Sequence, residues 1–132
     1  MKLIDTCVWI EALADTPTGR AYRPLLAVPQ DLLVSTLVVY ELCKWLARTL
    51  APDAADQVMV VLLSAKVVPP DASIAMHAAE LSSAHQLHAL DALIYATALS
   101  ANAELVTCDA HFKGLPQVEY FAKLDRYIAT KQ

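Results

Sequence analysis

Glycine is almost missing from this chain, with 2 in 132 residues. Two-residue hairpin turns depend on it, so an all-β sandwich is disfavoured and helices joined by Pro-containing loops are expected. Cysteine is also scarce and odd in number, at Cys7, Cys43 and Cys108. There is no Cys-x-x-Cys pair and no His at ligand spacing from a Cys, although His111 follows Cys108 closely. A disulfide framework and a zinc ribbon are therefore disfavoured, and three small buried thiols in a reducing cytoplasm are expected. No apolar run is long. The longest, residues 32–40 and 58–65, fall well short of the ~20 residues of a membrane span, and Asp5 and Glu11 interrupt any secretory-type start. Positive charge is in deficit, with 10 Lys and Arg against 14 Asp and Glu, net −4. The overall field does not attract polyanions, which counts against a nonspecific nucleic-acid coating protein. It does not exclude an enzyme that holds nucleic acid locally. Repeats, low-complexity tracts and charge blocks are absent as well.

Hydrophobic residues are abundant, at 57 %, against roughly 45–50 % in an ordinary soluble domain. A sheet covered on both faces would bury some of that excess, and a subunit interface the rest. The length fits one domain, residues 1–132.

Along the chain, short apolar segments alternate with helical ones. Strands are expected at residues 1–4, 32–34, 66–68, 104–107 and 118–121, and helices at residues 7–14, 20–28, 37–50, 53–64, 71–83, 89–101 and 123–130. Asp15 to Gly19 reads as a turn. In the helix over residues 37–50, Val38, Leu42, Trp45, Leu46 and Thr49 share one face, while Glu41, Lys44 and Arg48 share another. Val58 to Leu63 is apolar all round, so it should be buried, with a dimer contact as one way to cover it. Strands alternating with helices predict an α/β fold with a largely parallel sheet, whose site lies beyond the carboxyl ends of the strands.

Four acids sit in apolar surroundings: Asp5 after the first strand, Glu41 and Asp91 in the first turns of their helices, and Asp109 after the fourth strand. Each has a structural explanation. Asp5 reads as a helix N-cap, Asp109 as an Asx-turn residue, Asp91 as a cap for residues 92–101, and Glu41 as a solvated residue paired at i+3 or i+4. Together they can meet at one edge of the sheet. Two carboxylates about 5 Å apart repel by roughly 3 kcal/mol at an effective dielectric of ~20. A cluster of four therefore needs protons or a divalent cation, and the cation points toward phosphodiester hydrolysis.

Four stretches carry a family resemblance: Lys2-Leu3-Ile4-Asp5-Thr6-Cys7-Val8-Trp9-Ile10, Val34-Ser35-Thr36-Leu37-Val38-Val39-Tyr40-Glu41-Leu42, Leu90-Asp91-Ala92-Leu93-Ile94-Tyr95-Ala96-Thr97-Ala98, and Ala103-Glu104-Leu105-Val106-Thr107-Cys108-Asp109-Ala110-His111-Phe112 with Gly114-Leu115. In this order they resemble the PIN-domain family, most closely its VapC-type toxins. The resemblance implies a PIN-like three-layer α/β sandwich and a metal-dependent endoribonuclease. It implies Mg²⁺ or Mn²⁺ held by Asp5, Asp91 and Asp109, with Glu41 orienting or deprotonating the attacking water or ligating through water. It further implies an RNA substrate and an antitoxin partner that inserts a basic side chain among the acids. A homodimer agrees with the apolar surplus. Thr6 and Thr107 stand beside two of the acids as supporting donors, or equally as a cap and a strand former. Where the family commonly places a basic residue and a further acid around the last position, this chain has Cys108 and Ala110-His111. One metal then becomes more plausible than two. Lys44, Arg48, Lys113 and Arg20 are the remaining candidates for RNA contacts. His77, His85, His88 and His111 read as surface residues, with His85 and His88 placed to line the mouth of the pocket.

Four rivals compete with this reading. A phosphate-receiving signalling domain needs an acidic pair after the first strand and a late lysine. A dehalogenase-type phosphatase needs Asp-x-Asp where Asp5-Thr6-Cys7 stands. A catalytically silent binding module and a housekeeping nuclease of the same fold remain as alternatives.

Overall fold

The computed structural model describes residues 1–124 of the chain. Five short strands form one sheet: β1 Lys2–Ile4, β2 Leu32–Ser35, β3 Lys66–Val68, β4 Glu104–Thr107 and β5 Val118–Tyr120. Six helices connect them: α1 Thr6–Leu13 and α2 Pro17–Leu26, then α3 Thr36–Thr49 and α4 Pro52–Leu62, then α5 Ala72–His85 and α6 Ala89–Ser100. Two 3₁₀ turns, Pro29–Asp31 and Ala110–Phe112, precede β2 and follow β4. The sheet order is β3-β2-β1-β4-β5, and every neighbouring pair is parallel. The expected α/β class holds, with the sheet wholly rather than largely parallel.

This order decides where a site can form. From β1 the chain steps to β2 and then β3 on one side, and returns to place β4 on the other side of β1. The strand order therefore reverses between β1 and β4. A crevice opens there beyond the carboxyl ends of the strands. The register sets Ile4 opposite Val106, so Asp5 and Thr107 emerge side by side. The Asp5 N–H closes the ladder on the Val106 carbonyl at 3.0 Å.

The inner strands are apolar on both faces, as a covered parallel sheet requires. Leu3, Ile4, Leu33, Val34, Leu105 and Val106 are all buried. From α3, Val38, Leu42 and Leu46 reach this core as expected; Trp45 is half-buried and Thr49 is exposed. Glycine poverty shows in the backbone. Asp15, Gln86, Asn102 and Gln117 occupy left-handed conformations that glycine adopts without strain. Gly19, by contrast, is required for space. A Cβ there would collide with the backbone of Glu11 and Ala12, where α2 crosses α1.

Three expectations need correction. Residues 17–19 are not a turn but the first turn of α2. Thr16 Oγ1 accepts the Gly19 N–H at 3.0 Å, and Pro17 sits at the first helical position, where it needs no N–H partner. Val58 to Leu63 is not buried within the chain: only Leu62 is, and Val60, Val61 and Leu63 are exposed. Cys43 is exposed rather than buried. The helix expected over residues 123–130 lies, from residue 125 on, outside the described residues. No described helix is long and apolar enough to cross a membrane.

Candidate functional site

Asp5 is both a cap and a cluster member. It ends β1, is buried, and its Oδ1 accepts the Thr6 N–H at 2.8 Å as the N-cap of α1. Its Oδ2 accepts a hydrogen bond from Thr107 Oγ1 at 2.8 Å and a long one from Cys7 Sγ at 3.6 Å. Thr107 Oγ1 in turn accepts the Asp109 N–H at 3.0 Å. One buried hydroxyl thus ties together the acids that leave β1 and β4.

Glu41 belongs to α3, capped by Ser35 at the end of β2. Its Oε1 accepts the Thr6 hydroxyl at 2.7 Å, and no ion pair joins it to Lys44 among the described residues. The expected alternative of a solvated i+3 pair is therefore not what the chain does with Glu41. Asp91 lies in the first turn of α6, whose N-cap is His88, so Asp91 is not the cap. Asp109 caps the 3₁₀ turn after β4, and its Oδ1 accepts both the His111 N–H at 3.0 Å and a contact from His111 Nδ1 at 2.8 Å. The structural explanations of Asp5 and Asp109 are thus realised together with their convergence.

Electrostatics joins the four. Burial first, then Asp109 and Glu41, push the Asp91 carboxyl above the usual range, while His88 and His111 draw it down. Burial holds Asp5 well above that range, and Asp91 adds to it against the hydrogen bonds of Thr107 and Thr6. These directions follow from like charges held close in a half-desolvated crevice. Neither Asp5 nor Asp91 has a Lys or Arg partner among the described residues.

The donor set is all carboxylate oxygen, which suits a hard divalent cation. No three His, Cys, Asp or Glu side chains among the described residues close around one point. By donor chemistry the acids suit Mg²⁺, which prefers oxygen ligands and keeps several of its waters. They do not fit a tight zinc cage. Cys7 and Cys108 meet behind Asp5, with the Cys108 N–H 3.4 Å from Cys7 Sγ. The Cys108 side chain and burial push the Cys7 thiol far up, so it stays protonated.

The candidate cations divide. Lys44 and Arg48 line a cavity of about 270 Å³ beside Glu41. Arg20 is engaged by Asp15 at 3.2 Å, and Lys113 lies over the Tyr120 ring at 6.0 Å; neither lines that cavity. His77, His88 and His111 are exposed and His85 half-exposed. His88 and His111 stand edge to face at 6.1 Å. The link from His111 to Asp109 is the feature that sequence spacing missed. A His two residues after a turn-forming Asp was its only signal.

Solved structures share this architecture. A toxin–antitoxin complex from Klebsiella pneumoniae matches with TM-score 0.78 at 22% identity, over 90% of this chain and 96% of that one. VapBC2 from Rickettsia felis, bound to a DNA fragment from its promoter, matches with TM-score 0.73 at 20% identity, over 91% and 98%. VapC20 from Mycobacterium tuberculosis, a sarcin-ricin loop cleaving toxin, matches with TM-score 0.66 at 18% identity, over 98% and 95%. At such identities these likenesses establish a common fold. No curated protein sequence matches the chain. The PIN domain family matches residues 2–117, from β1 through β4 and up to the residue before β5, and the chain belongs to that family.

Proposed function

We propose that this chain is a divalent-metal-dependent endoribonuclease, one domain over residues 1–132, acting as the toxin of a toxin–antitoxin pair. The proposal is supported most by four acids that influence one another, Asp91 with Asp109, Glu41 and Asp5, with Thr6 pinning Glu41 and Thr107 pinning Asp5 beside the reversal of strand order. The toxin role is supported by the neighbouring folds, which include a toxin–antitoxin complex from Klebsiella pneumoniae, VapBC2 from Rickettsia felis and a sarcin-ricin loop cleaving toxin from Mycobacterium tuberculosis.

Asp5, Asp91 and Asp109 would hold Mg²⁺ or Mn²⁺. When bound, such a cation lowers the pKa of a ligated water and offsets charge on the phosphodiester. The chain's own residues do the rest. Thr107 keeps Oδ2 of Asp5 in place, and the Thr6 N–H keeps Oδ1. His111 holds Oδ1 of Asp109, so Oδ2 would be the oxygen left to a cation. Thr6 occupies Oε1 of Glu41, so Oε2 is the atom that takes a proton from the attacking water. An antitoxin is the expected inhibitor, since a basic side chain placed among these acids would satisfy them. A homodimer would cover the exposed apolar side of α4.

The test is cleavage of mixed cellular RNA by purified protein with Mg²⁺, Mn²⁺ or EDTA, and by Asp5→Asn and Asp91→Asn. Cutting that needs the metal and both acids supports the proposal. Folded, antitoxin-free protein that never cuts, yet titrates a divalent cation, would be a binding module of the same fold.

A further inference from the structure

The cavity beside Glu41 has a composition that catalysis does not explain. Thr6, Ile10, Tyr40, Glu41, Lys44, Trp45, Arg48 and Leu90 line it, which places it between α1, α3 and the start of α6. Thr6 and Leu90 are the chain neighbours of Asp5 and Asp91, so the cavity shares a wall with the carboxylates. Tyr40 is 53 % exposed, so its ring stands open at the mouth of the cavity. The Lys44 ammonium sits 5.5 Å from the Tyr40 ring centroid. Neither Lys44 nor Arg48 has a carboxylate partner among the described residues, although Glu41 is one turn away. Trp45 adds a second, half-buried ring. On a chain of net charge −4, two free cations and two aromatic rings around one opening form a local exception to the overall field.

We propose that this cavity is a nucleotide subsite, in which Tyr40 and Trp45 stack an unpaired base and Lys44 and Arg48 hold its phosphate. It rests on the nuclease reading above and names its substrate class: single-stranded RNA, gripped one nucleotide away from the phosphodiester that is cut. Each part matches known physics. Bases that are splayed out of a helix stack on aromatic side chains, and guanidinium and ammonium groups take the backbone. At about 270 Å³ the opening lies just below the roughly 300–1,000 Å³ of pockets for drug-sized ligands, so it takes one nucleotide rather than a duplex. Both cations follow Glu41 on α3, so substrate grip and the proposed proton acceptor move as one rigid body. A duplex keeps its bases stacked and cannot offer one to Tyr40.

The test is fluorescence anisotropy in EDTA, where metal-dependent cutting is stopped, with a short labelled single-stranded RNA of mixed sequence and its duplex. Parent, Tyr40→Ala, Lys44→Ala and Arg48→Ala are compared, and the parent is assayed for cutting of mixed RNA in parallel. Tyr40→Ala should weaken single-strand binding about tenfold and leave duplex binding unchanged. Each cation variant should reduce the salt slope by about one. Both Tyr40 and the cations are exposed, so circular dichroism should show all variants folded. Unchanged single-strand binding in Tyr40→Ala, from a parent that cuts RNA, overturns the subsite alone and leaves this face to a protein partner. A parent that neither binds nor cuts RNA overturns the nuclease reading and the subsite with it.

Discussion

Thr107 and Asp5, 102 positions apart, are joined by a hydrogen bond of 2.8 Å from a fully buried hydroxyl to a buried carboxylate. The same hydroxyl accepts the Asp109 N–H, so its loss would leave two polar groups short. Thr107→Val keeps the shape and removes the hydroxyl. It should destabilise the fold by about 1–3 kcal/mol and lower RNA cleavage, and Thr107→Ser should restore most of both. Urea denaturation and cleavage rates check this. Equal stability of the Val variant and the parent would remove Thr107 from the site's support.

Asp5 supplies a pH dependence with a definite sign. Its carboxyl is held above the usual range, mainly by burial. Between the unfolded value of about 3.9 and that raised folded value, the folded chain keeps a proton that the unfolded chain has lost. Stability from this group is therefore complete below the unfolded value and falls as pH rises through the folded one. Asp91, raised by burial and by Asp109 and Glu41, acts in the same direction. In EDTA, Asp5→Asn should gain thermal stability relative to the parent as pH rises through this window, then hold that gain to neutral pH. Added Mg²⁺ or Mn²⁺ should raise the parent's melting temperature at neutral pH and do less for the variant. A parent–variant difference that is flat with pH would refute the raised Asp5 carboxyl.

Gln86 ends α5 in a left-handed conformation, with φ of 52°. The position costs a side-chain-bearing residue strain that glycine avoids. Relief of roughly 1–2 kcal/mol of left-handed strain, less about 0.5–1 kcal/mol of extra chain entropy for glycine, should leave Gln86→Gly more stable by about 0.5–1 kcal/mol, reduced by loss of the Gln86 side-chain bond to the Ser83 carbonyl. A loss of stability on chemical denaturation would show that this bond outweighs the backbone strain.

The outer side of α4 exposes Val60 to 72 % and Leu63 to 52 %. If a second copy covers it, sedimentation should give the dimer mass for the parent and the monomer mass for Val60→Asp, at the same melting temperature in dilute solution. A parent that sediments as a monomer, or a dimer indifferent to Val60→Asp, would place the interface elsewhere or remove it.

Much of this was legible because it is local. Short apolar runs such as Leu33-Val34 and Leu105-Val106 have no exposed face to hide, so their strands stand out, and Asp71 and Ser35 mark helix starts by chemistry alone. The acids were legible as residues that apolar surroundings do not tolerate unpaired. What escaped reading depends on distant pairing or on which side of a helix finds a partner. Val58 to Leu63 is apolar all round, but composition does not say that the fold covers only Leu62. The meeting of Cys7 with Cys108, and of Thr6 with Glu41, needs β1 set between β2 and β4. The missed first turn of α2 is different: Thr16 and Pro17 carried its capping signal, and the nearby Gly19 read more strongly as a turn.

The central place of β1 makes the acidic site depend on a distant strand. β1 is the middle strand of the sheet, and one of its two neighbours, β4, begins only at Glu104. Until β4 docks, Asp5 has neither the Val106 carbonyl for its N–H nor Thr107 for its carboxylate. Contacts this distant in sequence close late and slowly. The acidic site is therefore among the last features of the fold to assemble, and a chain whose β4 has not yet docked on β1 carries the acids without the site.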